Sequence, residues 1–297
     1  MVCYYPLQGW RSKERGTTGK RGIVFNVSDG LVDRPITLPC GNCTGCRLER
    51  SRRWAVRCMF EAQMHDENSY LTLTYRDEDL PEGGTLVKKH YQDFMKRLRS
   101  KYVGRNIRYF QCGEYGDDFK RPHYHACLFG LEFADKQFFR MSNGHPLYIS
   151  QELQDIWGLG FCTIGDVTFE SAAYVARYVM KKLNGERAEE YGDLEPEYCT
   201  MSLKPGIGFS FFDKFVSDLY PSDFVVVNGK KIRPPRYFDE LFEKKFPNEF
   251  RKLKVKRTQD AAKHKDNNRS SRHRVREEVQ KARTKMLARN LEEREDD

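Results

Sequence analysis

The sequence lacks several features that would assign it to a large functional class. No apolar run approaches membrane-spanning length, and the opening residues MVCYY do not form a secretory signal. There is no G-x-x-x-x-G-K-[ST] phosphate-binding motif and no internal repeat. These absences predict a soluble, intracellular protein that does not use ATP and has no membrane partner.

The cysteines and charges are unevenly distributed. Nine cysteines are an odd number, and several stand singly in strand-like or helix-like segments, which is typical of a reducing compartment without disulfides. Residues 251–297 carry 16 Lys/Arg and 9 Asp/Glu, a net charge of +7 within the chain's total of +9. The basic character therefore belongs mainly to this tail, which predicts either salt-sensitive attraction to DNA or a solubilising segment.

Two strand-like runs flank a Gly/Asp turn in the stretch CGEYGDDFKRPHYHACLFG, residues 112–130. Side chains alternate between the faces of a strand, so His123 and His125 share one face. A short hairpin would return Glu114 beside them. Two histidines and one carboxylate leave open positions on a divalent ion, as a catalytic metal site requires. The alternative is a pair of metal-free histidines on a half-buried strand.

The segment TFESAAYVARYVMKKLN, residues 168–184, has the pattern of a helix with Thr168 as its N-cap. At about 100° per residue, Tyr174, Tyr178 and Lys181 cluster on the side opposite the apolar face. We therefore expect them to stand clear of the buried surface. Beside a metal, two phenols can act as nucleophiles and a lysine can steady a phosphate or a phenolate. The alternative is tyrosines that pack on a second layer.

Three motifs in this order resemble those of the HUH endonucleases: YLTLTY at 70–75, RPHYHACLFG with GEYG upstream, and YVARYVMKK. The resemblance is strongest to the rolling-circle replication initiators of microviruses, in particular gokushovirus-like single-stranded DNA phages. The stretches PCGNCTGCR and EYCTMSLKPGIG are also similar to that branch, so the likeness extends over about residues 1 to 250.

The resemblance implies an origin-specific endonuclease and ligase. His123, His125 and Glu114 would hold Mg²⁺ or Mn²⁺, and either Tyr174 or Tyr178 would form a 5′-phosphotyrosine. The second tyrosine would act after a round of synthesis, with Lys181 as the cation. The implied partners are single-stranded or supercoiled origin DNA and the host helicase and polymerase, in the cytoplasm of the bacterial host.

The C-x-x-C-x-x-C spacing of Cys40, Cys43 and Cys46 can surround a structural zinc ion, with Cys3 or Cys58 as the fourth thiolate. An iron–sulfur cluster and unligated cysteines in a tight turn are the alternatives.

A helix predicted from residue 47 to about 65 is rich in arginine. Arg50, Arg53 and Arg57, with Lys182 at the end of the tyrosine helix, are candidate contacts to DNA phosphates. The alternative is a solvated helix face.

The order of predicted elements favours an α+β domain with a central, mainly antiparallel sheet and packed helices. The resemblance identifies this arrangement with the HUH endonuclease fold, followed by a basic C-terminal tail. We expect a mobile arm up to about residue 21 and a connector with a short helix at 132–143. The predicted regions are a Cys-rich segment with the basic helix (1–66), the HUH core (67–185), an extension with a hairpin (186–250), and a helical or disordered tail (251–297).

Two other function classes remain open from the sequence. The same HUH chemistry serves plasmid initiators, relaxases and transposases, which a host gene neighbourhood would favour. The chain is alternatively a zinc-stabilised DNA-binding regulator whose histidines are structural and which makes no covalent product.

Overall fold

A computed structural model of the chain describes residues 3–17, 19–116, 119–142, 144–181, 189 and 191–286. Within these residues the chain forms two compact units. The small unit comprises residues 3–50 and 256–286, and the large unit comprises residues 51–255. Among the described helices, none combines the length and apolar character needed to cross a membrane.

The small unit contains a three-stranded antiparallel sheet in the order β2-β1-β3. Its strands are β1 (Leu7–Arg15), β2 (Arg21–Val24) and β3 (Gly30–Leu38). The prediction of a mobile arm here is wrong. Most side chains of β1 are exposed on both faces, so the sequence lacks the apolar alternation that marks a half-buried strand.

The large unit is built on a seven-stranded sheet in the order β10-β5-β6-β4-β9-β8-β7, with antiparallel neighbours throughout. Its strands are β4 (Asn68–Thr74), β5 (Arg108–Tyr115), β6 (Pro122–Phe129), β7 (Gln137–Ser142), β8 (His145–Ile149), β9 (Cys162–Gly165) and β10 (Tyr198–Met201). The predicted α+β class with a mainly antiparallel sheet is confirmed.

Helices cover both faces of this sheet. The first four are α1 (Thr44–Ala62), α2 (Lys88–Lys101), α3 (Gln151–Trp157) and α4 (Phe169–Lys181). Alternation along β4 places Leu71 and Leu73 in a cluster with buried residues of α2 and α3, while Tyr70 lies in a second cluster with residues of α1 and α4. The sheet is therefore buried on both sides, and the histidines of β6 are on the α1/α4 side.

The rest of the large unit packs around a third cluster of aromatic side chains. Its elements are α5 (Phe209–Leu219), β11 (Val225–Val227), β12 (Lys230–Ile232), α6 (Arg236–Lys245) and the first part of α7 (Pro247–Ala262); α8 (Ser270–Met286) belongs to the small unit. Asn228 and Gly229 have φ values of 48° and 71°, the left-handed pair of a two-residue hairpin turn. The hairpin predicted within residues 186–250 is confirmed.

The connector predicted at 132–143 contains a strand instead of a helix. β7 pairs with β8 at the edge of the sheet, and Phe138, Phe139 and Met141 are exposed. An edge strand with solvent on both faces shows no alternation, so its aromatic residues carried no recognisable strand signal.

Candidate metal centre

The hairpin of β5 and β6 brings together Glu114, His123 and His125, here called the His–Glu cluster. Glu114 lies directly opposite His123 in the strand register. Oε1 of Glu114 is 3.0 Å from Nε2 of His123 and 2.8 Å from Nε2 of His125. One ligand atom from each residue lies within 4.8 Å of the others, and Glu114 is only 1% exposed. The structure thus brings together the three residues predicted as metal ligands.

A backbone carbonyl orients His123. Its Nδ1 is 3.1 Å from the carbonyl oxygen of Arg121, which can only accept a hydrogen bond. In the neutral ring Nδ1 therefore carries the proton, and the lone pair of Nε2 points toward Glu114. Histidines that bind metals are commonly fixed in this way by their second nitrogen.

Two hydroxyls of β4 orient His125. Its Nδ1 lies 3.0 Å from both the Tyr70 hydroxyl and Oγ1 of Thr72, and its ring stacks on that of Tyr70. Sequence reasoning missed this role for both residues. The signal was the alternation in YLTLTY, which puts Tyr70, Thr72 and Thr74 on one face. The register of β4 against β6 was needed to connect them to the histidine.

The donor set fits a divalent cation. Two imidazole nitrogens and a carboxylate oxygen converge, and such groups repel one another unless a proton or a cation lies between them. Oε2 of Glu114 is also buried, with no hydrogen-bond partner among the described residues. Burial alone would raise the pKa of Glu114. When no cation is bound and the two histidines are protonated, their hydrogen bonds and positive charge lower that pKa to about 2. The carboxylate is therefore in its ionised, ligand-competent form.

Helix α4 places Tyr174 against this cluster. The Tyr174 hydroxyl donates to Oε1 of Glu114 at 3.2 Å, and its ring meets that of His125 edge-on at 5.0 Å. Tyr174 is 5% exposed, so the expectation that it stands clear of the buried surface is wrong. α4 packs on β5, β6 and β10, and Ser51 of α1 donates to the carbonyl of Ala173. Helical periodicity identified the apolar face of α4, but it did not predict that Tyr174, outside that face, is also buried.

The remaining candidates on and after this helix are only partly described. Tyr178 and Lys181 lie within α4, but their side chains are outside the described part of the chain. Lys182 and the predicted end of the helix at Asn184 also lie outside it. Their roles stay predictions.

The predicted arginine contacts differ in their surroundings. Arg57 lies between the rings of Trp54 and Tyr237, at 4.0 and 4.1 Å from their centroids, and its Nε donates to the carbonyl of Ile207 at 2.9 Å. Arg50 is exposed and Arg53 is half-buried. Contact with DNA stays a prediction for all three, and for Arg57 these packing contacts account for its position without a phosphate.

The structure also selects the fourth cysteine. The sulfur atoms of Cys3, Cys40, Cys43 and Cys46, here called the cysteine cluster, lie within 4.8 Å of one another in the small unit. The other candidate, Cys58, is fully buried in the large unit.

The chain is similar to known replication-associated proteins. A family profile for replication-associated proteins of the ORF2 type matches residues 68–183, from the start of β4 through α4. No solved structure is significantly similar to the chain.

Three phage proteins are similar over most of the chain. Replication-associated protein ORF2 of Spiroplasma virus 4 is 35% identical over 272 residues, covering 84% of this chain and 83% of that protein. Replication-associated protein VP4 of Bdellovibrio phage phiMH2K is 33% identical over 268 residues, covering 86% and 82%. Replication-associated protein ORF4 of Chlamydia phage 1 is 31% identical over 220 residues, covering 70% and 54%. The chain belongs to the ORF2-type family of replication-associated proteins of microvirus-like phages.

Proposed function

We propose that the protein is a metal-dependent DNA endonuclease and strand transferase of the HUH type, which nicks single-stranded origin DNA of its phage. The observation that carries this proposal is the hydrogen bond from the Tyr174 hydroxyl to Glu114 inside the His–Glu cluster. Membership of a phage replication family supports DNA as the substrate. A buried tyrosine paired only with apolar side chains would not support it.

The proposed reaction is an in-line displacement at phosphorus. The phenol oxygen of Tyr174 forms a bond to phosphorus while the bond from phosphorus to O3′ breaks. The 3′ oxygen takes up a proton, which leaves a 5′-phosphotyrosine and a free 3′-OH for a polymerase to extend. Mg²⁺ or Mn²⁺ held by the His–Glu cluster would polarise the phosphodiester and stabilise the developing charge.

Glu114 has a positioning role in this scheme. It accepts the hydrogen bond of the phenol, but a carboxylate with a pKa of about 2 is a weak base. It therefore orients the Tyr174 oxygen and does not remove its proton. The phenol proton passes to solvent water, which also supplies the proton that O3′ takes up.

Closure of the circle requires a second nucleophile. In the proposal Tyr178 cuts the regenerated origin and forms the next 5′-phosphotyrosine. The released 3′-OH attacks the phosphorus bound to Tyr174, and the bond from phosphorus to the tyrosine oxygen breaks. The strand is then continuous, and Tyr174 regains its proton as a free phenol. Lys181 supplies positive charge to the phosphate or the phenolate. The host helicase and polymerase open and extend the DNA between these two steps.

Adduct formation tests the proposal directly. The full-length protein is incubated with single-stranded oligonucleotides that tile the phage genome, with Mn²⁺ or with EDTA, and products are separated on a denaturing gel. We expect a Mn²⁺-dependent protein–DNA adduct, which mass spectrometry maps to Tyr174 or Tyr178. Tyr148→Phe, a change on β8 away from the His–Glu cluster, is the matched control and should retain the adduct.

Two outcomes would contradict the proposal. A Tyr174→Phe/Tyr178→Phe double variant that still forms the full amount of adduct would exclude both tyrosines. EDTA-insensitive binding to origin DNA without any covalent product would instead favour a zinc-stabilised DNA-binding regulator.

A further inference from the structure

The cysteine cluster brings together two segments of the small unit that are far apart in the sequence. Cys3 comes from the segment before β1, whereas Cys40 and Cys43 lie between β3 and α1, and Cys46 is in the first turn of α1. Cys43 precedes the first residue of α1, and the amide of Arg47 donates to the Cys43 carbonyl at 3.0 Å. The amino end of a helix stabilises negative charge, so this location favours thiolates.

The sulfur atoms are spaced as ligands of a single tetrahedral ion. Zn–S bonds are about 2.3 Å, which puts the sulfurs of a regular ZnS₄ tetrahedron about 3.8 Å apart. The sulfurs of Cys3 and Cys43 are 3.9 Å apart, and all four lie within 4.8 Å. An iron–sulfur cluster inserts several atoms between its thiolates and needs a wider separation.

Backbone amides already point at these sulfurs. The amide of Cys43 donates to the sulfur of Cys40 at 3.4 Å, and the amide of Cys40 donates to the sulfur of Cys3 at 3.2 Å. The amide of Tyr4 donates to the sulfur of Cys43 at 3.4 Å. Hydrogen bonds of this kind disperse the negative charge of thiolates and hold their positions around an ion.

The small unit has little else to hold it together. Among its described residues, the buried hydrophobic side chains are Cys3, Tyr4 and Cys43. Phe25 and Val32 of the same unit are exposed to solvent. Small units without a sufficient apolar core generally require a metal or disulfides, and all nine cysteines are free thiols.

We propose that Cys3, Cys40, Cys43 and Cys46 bind one structural zinc ion, around which the small unit folds. Four thiolates in tetrahedral positions select zinc over Mg²⁺ or Mn²⁺, which prefer oxygen ligands. No coordination position is left for water, so this ion serves folding and not catalysis. The zinc site is therefore separate from the His–Glu cluster and does not rest on the proposed nuclease function.

Metal analysis of the full-length protein, purified under reducing conditions and dialysed against EDTA, tests this site. We expect about one zinc per chain in the wild type, in Glu114→Gln and in Cys199→Ser, because four thiolates form one closed site. Cys199 is a half-buried thiol of the large unit and serves as the matched control. Cys43→Ser should contain no zinc. An unchanged zinc content in Cys43→Ser, or a wild type without zinc, would overturn the proposal.

Two further measurements test the zinc site even if the Cys43→Ser variant does not fold. The cobalt-substituted wild type should show the absorption bands of a tetrahedral tetrathiolate site. Removal of zinc with a thiol-reactive reagent should abolish amide hydrogen-exchange protection in β1 and β3 but retain it in β5 and β6. Bound iron with visible absorption, or a Cys3–Cys43 disulfide in the purified protein, would instead refute a zinc site.

Discussion

The two units of this protein differ in how much apolar surface they bury. The large unit covers both faces of its sheet and fully buries large side chains such as Trp157, Tyr91 and Phe94. The small unit buries almost nothing apolar beyond the cysteine cluster, among the residues described. Each large side chain contributes about 1.5–3 kcal/mol when fully buried, so stability in the large unit is the sum of many contributions. In the small unit it depends, on our proposal, on one ion.

This difference has a consequence for mutational tolerance. A distributed apolar interior loses stability gradually as side chains are truncated, whereas a metal-dependent unit loses its fold when one ligand is removed. The described part of the large unit also buries charged groups, among them the His–Glu cluster and the ion pair of Glu61 with Arg108. On our proposal the buried charges of the His–Glu cluster contribute to chemistry at the expense of apolar packing.

The largest effect is expected in the His–Glu cluster. Glu114→Gln keeps the shape of the side chain but removes its negative charge. Adduct formation should fall by more than about 100-fold. That is the largest loss typically caused by changing a residue that only supports a metal ligand and does not bind the metal itself. Single-turnover cleavage of the origin oligonucleotide measures the loss. Activity within a few-fold of the wild type would show that the His–Glu cluster is not the reactive centre.

A truncation in the apolar interior should affect only the large unit. Leu71 of β4 is fully buried on the side of the sheet that α2 and α3 cover. Leu71→Ala should lower the free energy of unfolding by about 2–5 kcal/mol, because it removes buried methyl groups and leaves a cavity. Urea denaturation measures this change, and the zinc content should stay the same. Loss of zinc in this variant would show that the two units do not unfold independently.

A smaller effect is expected from the hydroxyls that hold His125. Tyr70→Phe keeps the stacked ring but removes the hydroxyl that hydrogen-bonds with Nδ1 of His125. Thr72→Val keeps the size of the side chain and removes the second hydroxyl at the same nitrogen. Each should weaken Mn²⁺ binding about 10- to 100-fold, as measured by calorimetric titration. Thr74→Val is the control, because its hydroxyl donates to the carbonyl of Phe161. Equal losses in all three variants would contradict a specific role for His125.

A fourth comparison concerns acid stability without metal. The pKa of Glu114 is lowered from 4.5 to about 2 in the folded state. A lowered carboxyl pKa stabilises the fold above the unfolded value, and this contribution is lost as the pH falls from about 4.5 to 2. The difference in unfolding free energy between wild type and Glu114→Gln should therefore shrink across this range. Urea denaturation at several pH values measures it, and a constant difference would contradict the shift.

The sequence was most informative where the chain is locally regular. Alternation and a short turn were enough to predict that Glu114 would return beside His123, because the hairpin register is local. Local patterns also mark α2, which buries Tyr91 and Phe94 at helical spacing, and α3, whose first turn is capped by the side chain of Ser150.

The missed features depend on distant or solvent-exposed partners. β1 and β7 have exposed side chains on both faces, so no alternation marks them as strands. The contacts of Tyr70 and Thr72 with His125 depend on pairing between strands about fifty residues apart. The choice of Cys3 over Cys58 depends on how the chain returns after β3. Local sequence patterns contain no information on these long-range contacts.

The topology also sets the order in which a ribosome completes the reactive centre. The His–Glu cluster is complete once β6 has been made, at Phe129, whereas Tyr174 follows 45 residues later. At about 5–20 residues per second, this delay is roughly 2–9 s. A nascent chain therefore has its proposed metal ligands before it has its proposed nucleophile. On the proposed function, attack on DNA by Tyr174 has to wait until α4 has emerged and packed on the sheet.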